Sequence, residues 1–199
     1  MDDRFTYKPH NITQAVRQFI DTQRLTGSIH ELDHRLISTF NSTVKRLVNS
    51  TPLEASKPDT QSWQWTEIVA AEDYNVGILH IYNNGHIPIH DHPGSAGLLY
   101  ILQGELQVKQ FQVNNSSSLL TQLEHITSLD LKESESTSFG PDNGNIHSLH
   151  ASNGDVYIMD ILVSPYSIYE RKWYLPVDAA EKDRPVFNAV SMKKKLCFN

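Results

Sequence analysis

The feature that most constrains the fold of this chain is a series of short β-rich segments that begins at Trp63. These segments are rich in β-branched and aromatic residues, and turn residues separate them. Strands are predicted near residues 63–69, 76–82, 87–92, 97–103, 105–113, 119–131, 138–139, 146–151, 155–163 and 171–175. Many short strands at this spacing are typical of an antiparallel sandwich or barrel. The fold class is therefore predicted to be mainly β, with a barrel over residues 63–176.

Residues 1–50 have helical periodicity instead. Asn11 is expected to cap a first helix that ends at Gly27, and Ser28 with Glu31 forms a capping box for a second helix. The second helix carries apolar residues at three- and four-residue spacing: Ile29, Leu32, Leu36, Phe40, Val44 and Leu47. Such a stripe packs on the protein's own sheet or binds a partner, and we expect packing on the barrel.

Composition excludes several classes of function. The chain has 199 residues with 17 Lys and Arg against 23 Asp and Glu, a net charge of −6, which disfavours nucleic acid or an anionic membrane as partner. Cys197 is the single cysteine, which excludes an intrachain disulfide framework and a cysteine-based zinc site. No targeting or membrane-spanning segment is recognisable. We expect one cytoplasmic, monomeric domain over residues 1–199, with residues 177–199 as a solvated tail.

Histidines at two places predict a metal site. In the segment 85–94, GHIPIHDHPG, His90 and His92 are two residues apart, so on a strand they project to the same face about 6–7 Å apart. A polar surface strand is the alternative. In the segment 139–147, FGPDNGNIH, a tight turn precedes His147. A barrel that joins these strands would direct three imidazoles to one iron, zinc or nickel ion and leave positions open for substrate and oxygen.

These two segments resemble the two motifs of the cupin family. His90 and His92 match the first motif, and His147 matches the second. Gly97 stands where cupins carry a glutamate ligand, and Ala151 replaces the final asparagine of the second motif. A missing glutamate is typical of thiol dioxygenases, which are cupins with iron held by three histidines.

Three segments in order resemble one branch of these enzymes more closely. They are IPIHDHPG at 87–94, GNIH at 144–147 and DILVSPY at 160–166, and the branch contains cysteamine dioxygenase and the plant cysteine oxidases. The resemblance implies a cupin-type jelly roll and Fe(II) on the three histidines. It also implies conversion of a small thiol, or of an N-terminal cysteine on a peptide, to a sulfinic acid with O₂.

Two further residues are candidate catalytic groups. Asp160 shares a strand face with Val156, Ile158 and Leu162, so it is buried if that face is the barrel interior. It would orient a histidine or hold a substrate amine, and the structural alternative is a pairing with a backbone group or a lysine. Tyr166 matches a family tyrosine near the cavity mouth, and a core tyrosine is the alternative. His86 and His150 lie near the motifs and are expected to be loop or outward-facing residues, with a hydrogen bond to a ligand as the alternative. His80 lies on the strand before the site, and an inward-facing position is its less favoured alternative.

The spacing of arginines predicts the substrate. No arginine lies between Arg46 and Arg171, whereas enzymes that bind thiol carboxylates commonly pair the carboxylate with an arginine. We therefore expect cysteamine or a peptide with N-terminal cysteine to be a better substrate than 3-mercaptopropionate, with free cysteine between them. The alternatives are a cysteine or 3-mercaptopropionate dioxygenase, a non-catalytic cupin that binds a metal or a small molecule, and a cupin enzyme of other chemistry.

Overall fold

The computed structural model describes residues 9–26, 34–48, 62–72, 74–117, 119–163, 171–177 and 185–193. In these ranges two helices, α1 (Pro9–Thr26) and α2 (His34–Val48), precede the strands. The strands are β1 (Trp63–Ala70), β2 (Tyr74–Ile81), β3 (His86–His90), β4 (Ala96–Gln103), β5 (Glu105–Ser116), β6 (Thr121–Lys132), β7 (Ser136–Phe139), β8 (Ile146–His150), β9 (Val156–Val163), β10 (Trp173–Pro176) and β11 (Val186–Met192). Neither helix is long and apolar enough to cross a membrane.

The strands form two antiparallel groups. One is a five-stranded sheet in the order β1-β2-β9-β4-β7, and the other is a closed barrel in the order β10-β11-β6-β5-β8-β3. The barrel closes where Trp173 of β10 pairs with His90 of β3. The prediction of a mainly β, cupin-type fold with two N-terminal helices is confirmed.

The central strands of the five-stranded sheet are apolar on both faces because both faces are covered. All eight residues of β9 are buried. On one side the sheet packs against the helices, where Phe19, Phe40 and Val44 meet Ile78 and other residues of the sheet. The opposite face packs against apolar side chains of the barrel strands. The described part of the α2 stripe, with Phe40 and Val44 buried and Leu36 partly buried, thus packs on the chain's own sheet. Each large buried side chain contributes about 1.5–3 kcal/mol.

The two helices begin at positions other than those predicted. α1 begins at Pro9, so Asn11 lies inside the helix rather than at its cap. Proline is favoured in the first turn because its missing N–H has no helical partner there. The predicted capping box at Ser28 and Glu31 falls outside the described residues, and α2 is described from His34.

The expectation that residues 177–199 form a solvated tail is wrong for residues 186–192. Val186–Met192 is a strand, β11, that pairs with β10 and with β6 and so completes the barrel. Its inward residues Phe187 and Ala189 are buried in the barrel core. The alternation was hidden because the outward residues Val186 and Val190 are apolar as well, which removes the polar half of the two-residue period.

Candidate metal centre

The structure brings the three predicted ligands together. His90 is the last residue of β3, and it pairs directly across from His147 of β8. His92 lies in the turn beyond β3, so His90 and His92 do not share a strand as predicted. The turn, rather than strand alternation, brings the His92 ring next to the His90 ring. One ligand atom from each ring lies within 4.8 Å of the others, and all three residues are buried. This arrangement is able to hold one metal ion.

Asn145 fixes the turn that carries His92. The backbone N–H of His92 donates to Asn145 Oδ1 at 2.6 Å, and Asn145 Nδ2 donates to the His92 carbonyl oxygen at 2.7 Å. This pair of hydrogen bonds joins the loop before β8 to the loop after β3. Asn145 belongs to the GNIH segment, but the sequence pattern did not predict this role for it.

The hydrogen bonds of His90 and His147 leave one ring nitrogen of each for a cationic metal. Nδ1 of His90 lies 2.9 Å from the Pro88 carbonyl oxygen, and Nδ1 of His147 lies 3.3 Å from that of Gly144. An N–H at Nδ1 that donates to a carbonyl leaves the Nε2 lone pair for a metal. Burial, and next the nearby His147, holds the pKa of His90 well below 6.5. Burial above all also lowers the pKa of His92, and it lowers that of His147 to about 4. The rings are therefore neutral at pH 7, as metal ligation requires.

An aromatic ring stands where a fourth ligand would have to be. A Cβ atom placed on Gly97 would lie 2.1 Å from Cζ of Phe139. The Phe139 ring itself packs against two ligands, with ring centroids 5.0 Å from His92 and 4.9 Å from His147. A glutamate at position 97 would collide with this ring. Among the described residues the cluster contains three histidines and no carboxylate.

A cavity of about 260 Å³ opens onto the three imidazoles. Its other polar walls are Asn75, Asp160 and Arg171, and the rest of the lining is apolar or aromatic. The volume accommodates a ligand of a few heavy atoms next to the metal position. A cavity with apolar walls and few polar groups is the usual form of a small-molecule site.

Asp160 lies where the alternation of β9 predicted, on the inner face, and it is 8% exposed. Burial raises its pKa to about 6, while Arg171 and a hydrogen bond from Trp65 act in the opposite direction. The Trp65 ring reaches Asp160 across Gly77, where a Cβ atom would lie 2.3 Å from the ring. Within the described part of the chain, Asp160 Oδ1 is buried and has no hydrogen-bond partner. Its catalytic role stays a prediction.

The cavity contains an arginine, which removes the basis of the substrate preference drawn from the arginine spacing. Arg171 lines the cavity, and its Nη2 lies 3.3 Å from Nδ1 of His92. Its guanidinium also lies over Trp173, 5.9 Å from the ring centroid, and interacts electrostatically with Asp160. Arg171 is the first arginine after the arginine-free stretch that begins beyond Arg46. The residue reaches the site because β10 pairs with β3, a long-range contact that spacing does not reveal.

Asp91, the residue between two of the ligands, attaches β10 to them. Its carboxylate accepts hydrogen bonds from the backbone N–H of Lys172 at 2.6 Å and from the Tyr174 hydroxyl at 3.0 Å. Its own N–H donates to the Lys172 carbonyl at 3.1 Å. These contacts hold Arg171 and Trp173 against the histidines. Strand alternation alone would place Asp91 on the face opposite the ligands and so indicates no role for it.

Among the described residues, His80, His86 and His150 do not line the cavity. Tyr166 lies outside the described residues, so its role stays a prediction. His80 is buried away from the cavity, 2.8 Å from Asp155 Oδ2 and stacked on Tyr157. His86 is exposed and pairs with His150 between β3 and β8.

Three buried imidazoles on a barrel of antiparallel strands define a metal-binding protein of the cupin class. Within that class, the model of the family described as PCO_ADO, the plant cysteine oxidases and cysteamine dioxygenase, matches residues 28–192. The chain belongs to this family.

Several solved structures resemble this chain at low sequence identity. An uncharacterised protein with a double-stranded β-helix domain from Klebsiella pneumoniae is 17% identical, with a TM-score of 0.44 over 57% of this chain and 85% of that chain. A cupin superfamily protein from Desulfitobacterium hafniense is 12% identical, with a TM-score of 0.41 over 57% and 84% of the two chains. Oxalate oxidase in complex with glycolate is 17% identical, with a TM-score of 0.42 over 56% of each chain. No curated protein matches the sequence.

Proposed function

We propose that this protein is an iron-dependent thiol dioxygenase that uses O₂ to convert a small thiol, or the N-terminal cysteine of a peptide, to a sulfinic acid. Family membership implies thiol dioxygenase activity. The observation that carries the proposal to this chain is the set of three buried histidines, with Phe139 in place of a carboxylate ligand. Iron(II) is the proposed metal, since a site of three imidazoles with open positions suits it.

The charge of the site favours a thiolate as substrate. Three neutral imidazoles leave the charge of a divalent metal uncompensated, and a metal lowers the pKa of a bound thiol so that it binds as an anion. Iron held by the three histidines would supply the site at which the thiolate and O₂ react. Both atoms of O₂ end on sulfur, so R–SH and O₂ give R–SO₂H with no external reductant.

The residues around the metal position have separate proposed tasks. His90, His92 and His147 hold the metal, and Phe139 keeps water from one side of it. Asp160 accepts the ammonium group of the substrate, because its carboxylate is buried with an unpaired oxygen. Arg171 donates to a carbonyl or carboxylate oxygen of the substrate, for which its planar fork of N–H donors is suited.

These assignments change the expected substrate. A thiol that carries both an amino group and a carbonyl carbon, as a cysteine residue does, would engage both Asp160 and Arg171. Cysteamine would engage only Asp160, and 3-mercaptopropionate only Arg171. We therefore propose cysteine, free or at the N-terminus of a peptide, as the preferred substrate, ahead of cysteamine and 3-mercaptopropionate.

Oxygen consumption by the iron-loaded protein tests the proposal. We expect uptake of O₂ with at least one thiol among cysteine, an N-terminal-cysteine peptide, cysteamine and 3-mercaptopropionate, and a sulfinic acid as product by mass spectrometry. His92→Ala should lose nearly all bound iron and activity, whereas His125→Ala, at a half-buried position of β6 outside the metal cluster, should lose neither. Stoichiometric iron without O₂ uptake for any thiol would favour a non-catalytic metal-binding cupin.

A further inference from the structure

Two oxygen atoms in the cavity lack a hydrogen-bond partner. In the part of the chain that the structure describes, Asp160 Oδ1 and Asn75 Oδ1 are both buried and unpaired. Both residues line the cavity next to the histidines. A buried acceptor without a donor costs free energy, and native proteins contain few of them. A ligand that brings N–H groups into the cavity would satisfy both atoms.

The register of the strands places the two side chains on the same face. Gly77 of β2 pairs with Asp160 of β9, and Asn75 pairs with Leu162. Asn75 and Asp160 are therefore diagonal neighbours on adjacent strands, a separation of about 7–8 Å. An ammonium group that lies about 2.8 Å from each oxygen fits between side chains at this separation. The Trp65 ring covers Gly77, where an added Cβ atom would lie 2.3 Å from the ring, and so bounds this space on one side.

The side-chain oxygen of Asn75 is available to a hydrogen-bond donor. It is buried and unpaired among the described residues. A carboxylate and an amide oxygen accept hydrogen bonds and donate none, so the pair selects a donor. A thioether, an alkyl group or a carboxylate would leave both oxygens unpaired.

We propose that Asn75 is the second acceptor of an ammonium subsite, in which Asn75 and Asp160 together hold the amino group of a 2-aminothiol. The inference rests on the proposed function and extends it by naming how the amino group is recognised. The two oxygens bind the group, so its nitrogen is not a metal ligand. A primary ammonium two carbons from the thiol is the chemical class that the subsite takes.

Thiol binding to the cobalt(II)-loaded protein tests this proposal independently of turnover. The probes are cysteamine and 1-propanethiol, which have the same number of heavy atoms and differ in an ammonium against a methyl group. Their dissociation constants are measured from the thiolate-to-cobalt charge-transfer absorbance. Asn75→Leu removes the acceptor at similar size, and we expect it to weaken cysteamine binding about tenfold, the usual effect of losing a hydrogen bond to a charged group. Binding of 1-propanethiol should not change.

Two further variants complete the test. Asn75→Asp keeps an acceptor and should bind cysteamine at least as tightly as wild type. Asn115→Leu, the same substitution at an exposed position of β5, should change neither constant. The proposal would be overturned if Asn75→Leu weakened the binding of both thiols equally or left cysteamine binding unchanged. It would also be overturned if Asn75→Asp lost the preference for cysteamine over 1-propanethiol. Failure of the proposed function would give a different result: the wild-type protein would bind thiols, but the iron-loaded protein would consume no O₂.

Discussion

Gly97→Ala is expected to disturb both the stability and the metal affinity of the protein. The added Cβ atom would lie 2.1 Å from Phe139 Cζ and 2.5 Å from Cε1. Carbon atoms in good contact are about 3.5–4.0 Å apart, so the ring would have to retreat by about 1.4 Å. Retreat is restricted because His92 and His147 flank the same ring, at 5.0 and 4.9 Å between centroids. Overpacking of this kind costs about 1–3 kcal/mol.

Urea unfolding of the metal-free protein at pH 7.5 measures the first effect. We expect the free energy of unfolding to fall by about 1–3 kcal/mol with an unchanged denaturant slope. Chelator competition measures the second effect, and we expect metal affinity to fall about tenfold or more, because the displaced ring moves two ligands.

The double variant Gly97→Ala with Phe139→Leu separates a local collision from a general loss of packing. The smaller side chain leaves room for the methyl group, so stability and metal affinity should recover part of the loss. Wild-type stability and affinity in Gly97→Ala alone would show that Phe139 does not fill the position of a fourth ligand. Steric exclusion by the ring could not then account for the missing carboxylate.

Two more predictions concern charge in the cavity. Asp160→Asn should lower turnover far more than iron content. For the metal-free proteins, the free energy of unfolding of the variant minus that of wild type should rise by roughly 2–3 kcal/mol from pH 4 to pH 7. The sign follows because burial raises the pKa of Asp160 from 3.8 to about 6, so between these values the folded wild type holds a proton that the unfolded chain releases. Urea unfolding at several pH values measures this difference. A relative stability that does not change with pH, or an equal loss of iron and activity, would contradict the prediction. Metal affinity should change little from pH 8 to pH 6.5, since burial holds the pKa of His147 at about 4 and those of His90 and His92 well below 6.5. A tenfold loss per pH unit across this range in chelator competition would contradict the second prediction.

Local patterns predicted the parts of the molecule that local physics determines. The apolar spacing of α2 indicated its buried face, and Phe40 and Val44 are in the core. Alternation along β9 placed Asp160 on the inner face because the side-chain period of a strand is two. The three histidines were found because each lies in a short segment with a recognisable turn. In each case the residues that carry the pattern are close to one another in the chain.

Arg171 could not be predicted because its position depends on how the barrel closes. β10 has four residues and pairs with β3 through Trp173 and His90. A one-residue slip of this register would turn each side chain of β10 to the opposite face. Asp91 prevents such a slip, since its carboxylate binds Lys172 N–H and the Tyr174 hydroxyl at once. The motif that reveals two metal ligands thus contains, between them, the residue that places Arg171 in the cavity, and only the strand pairing shows that second role.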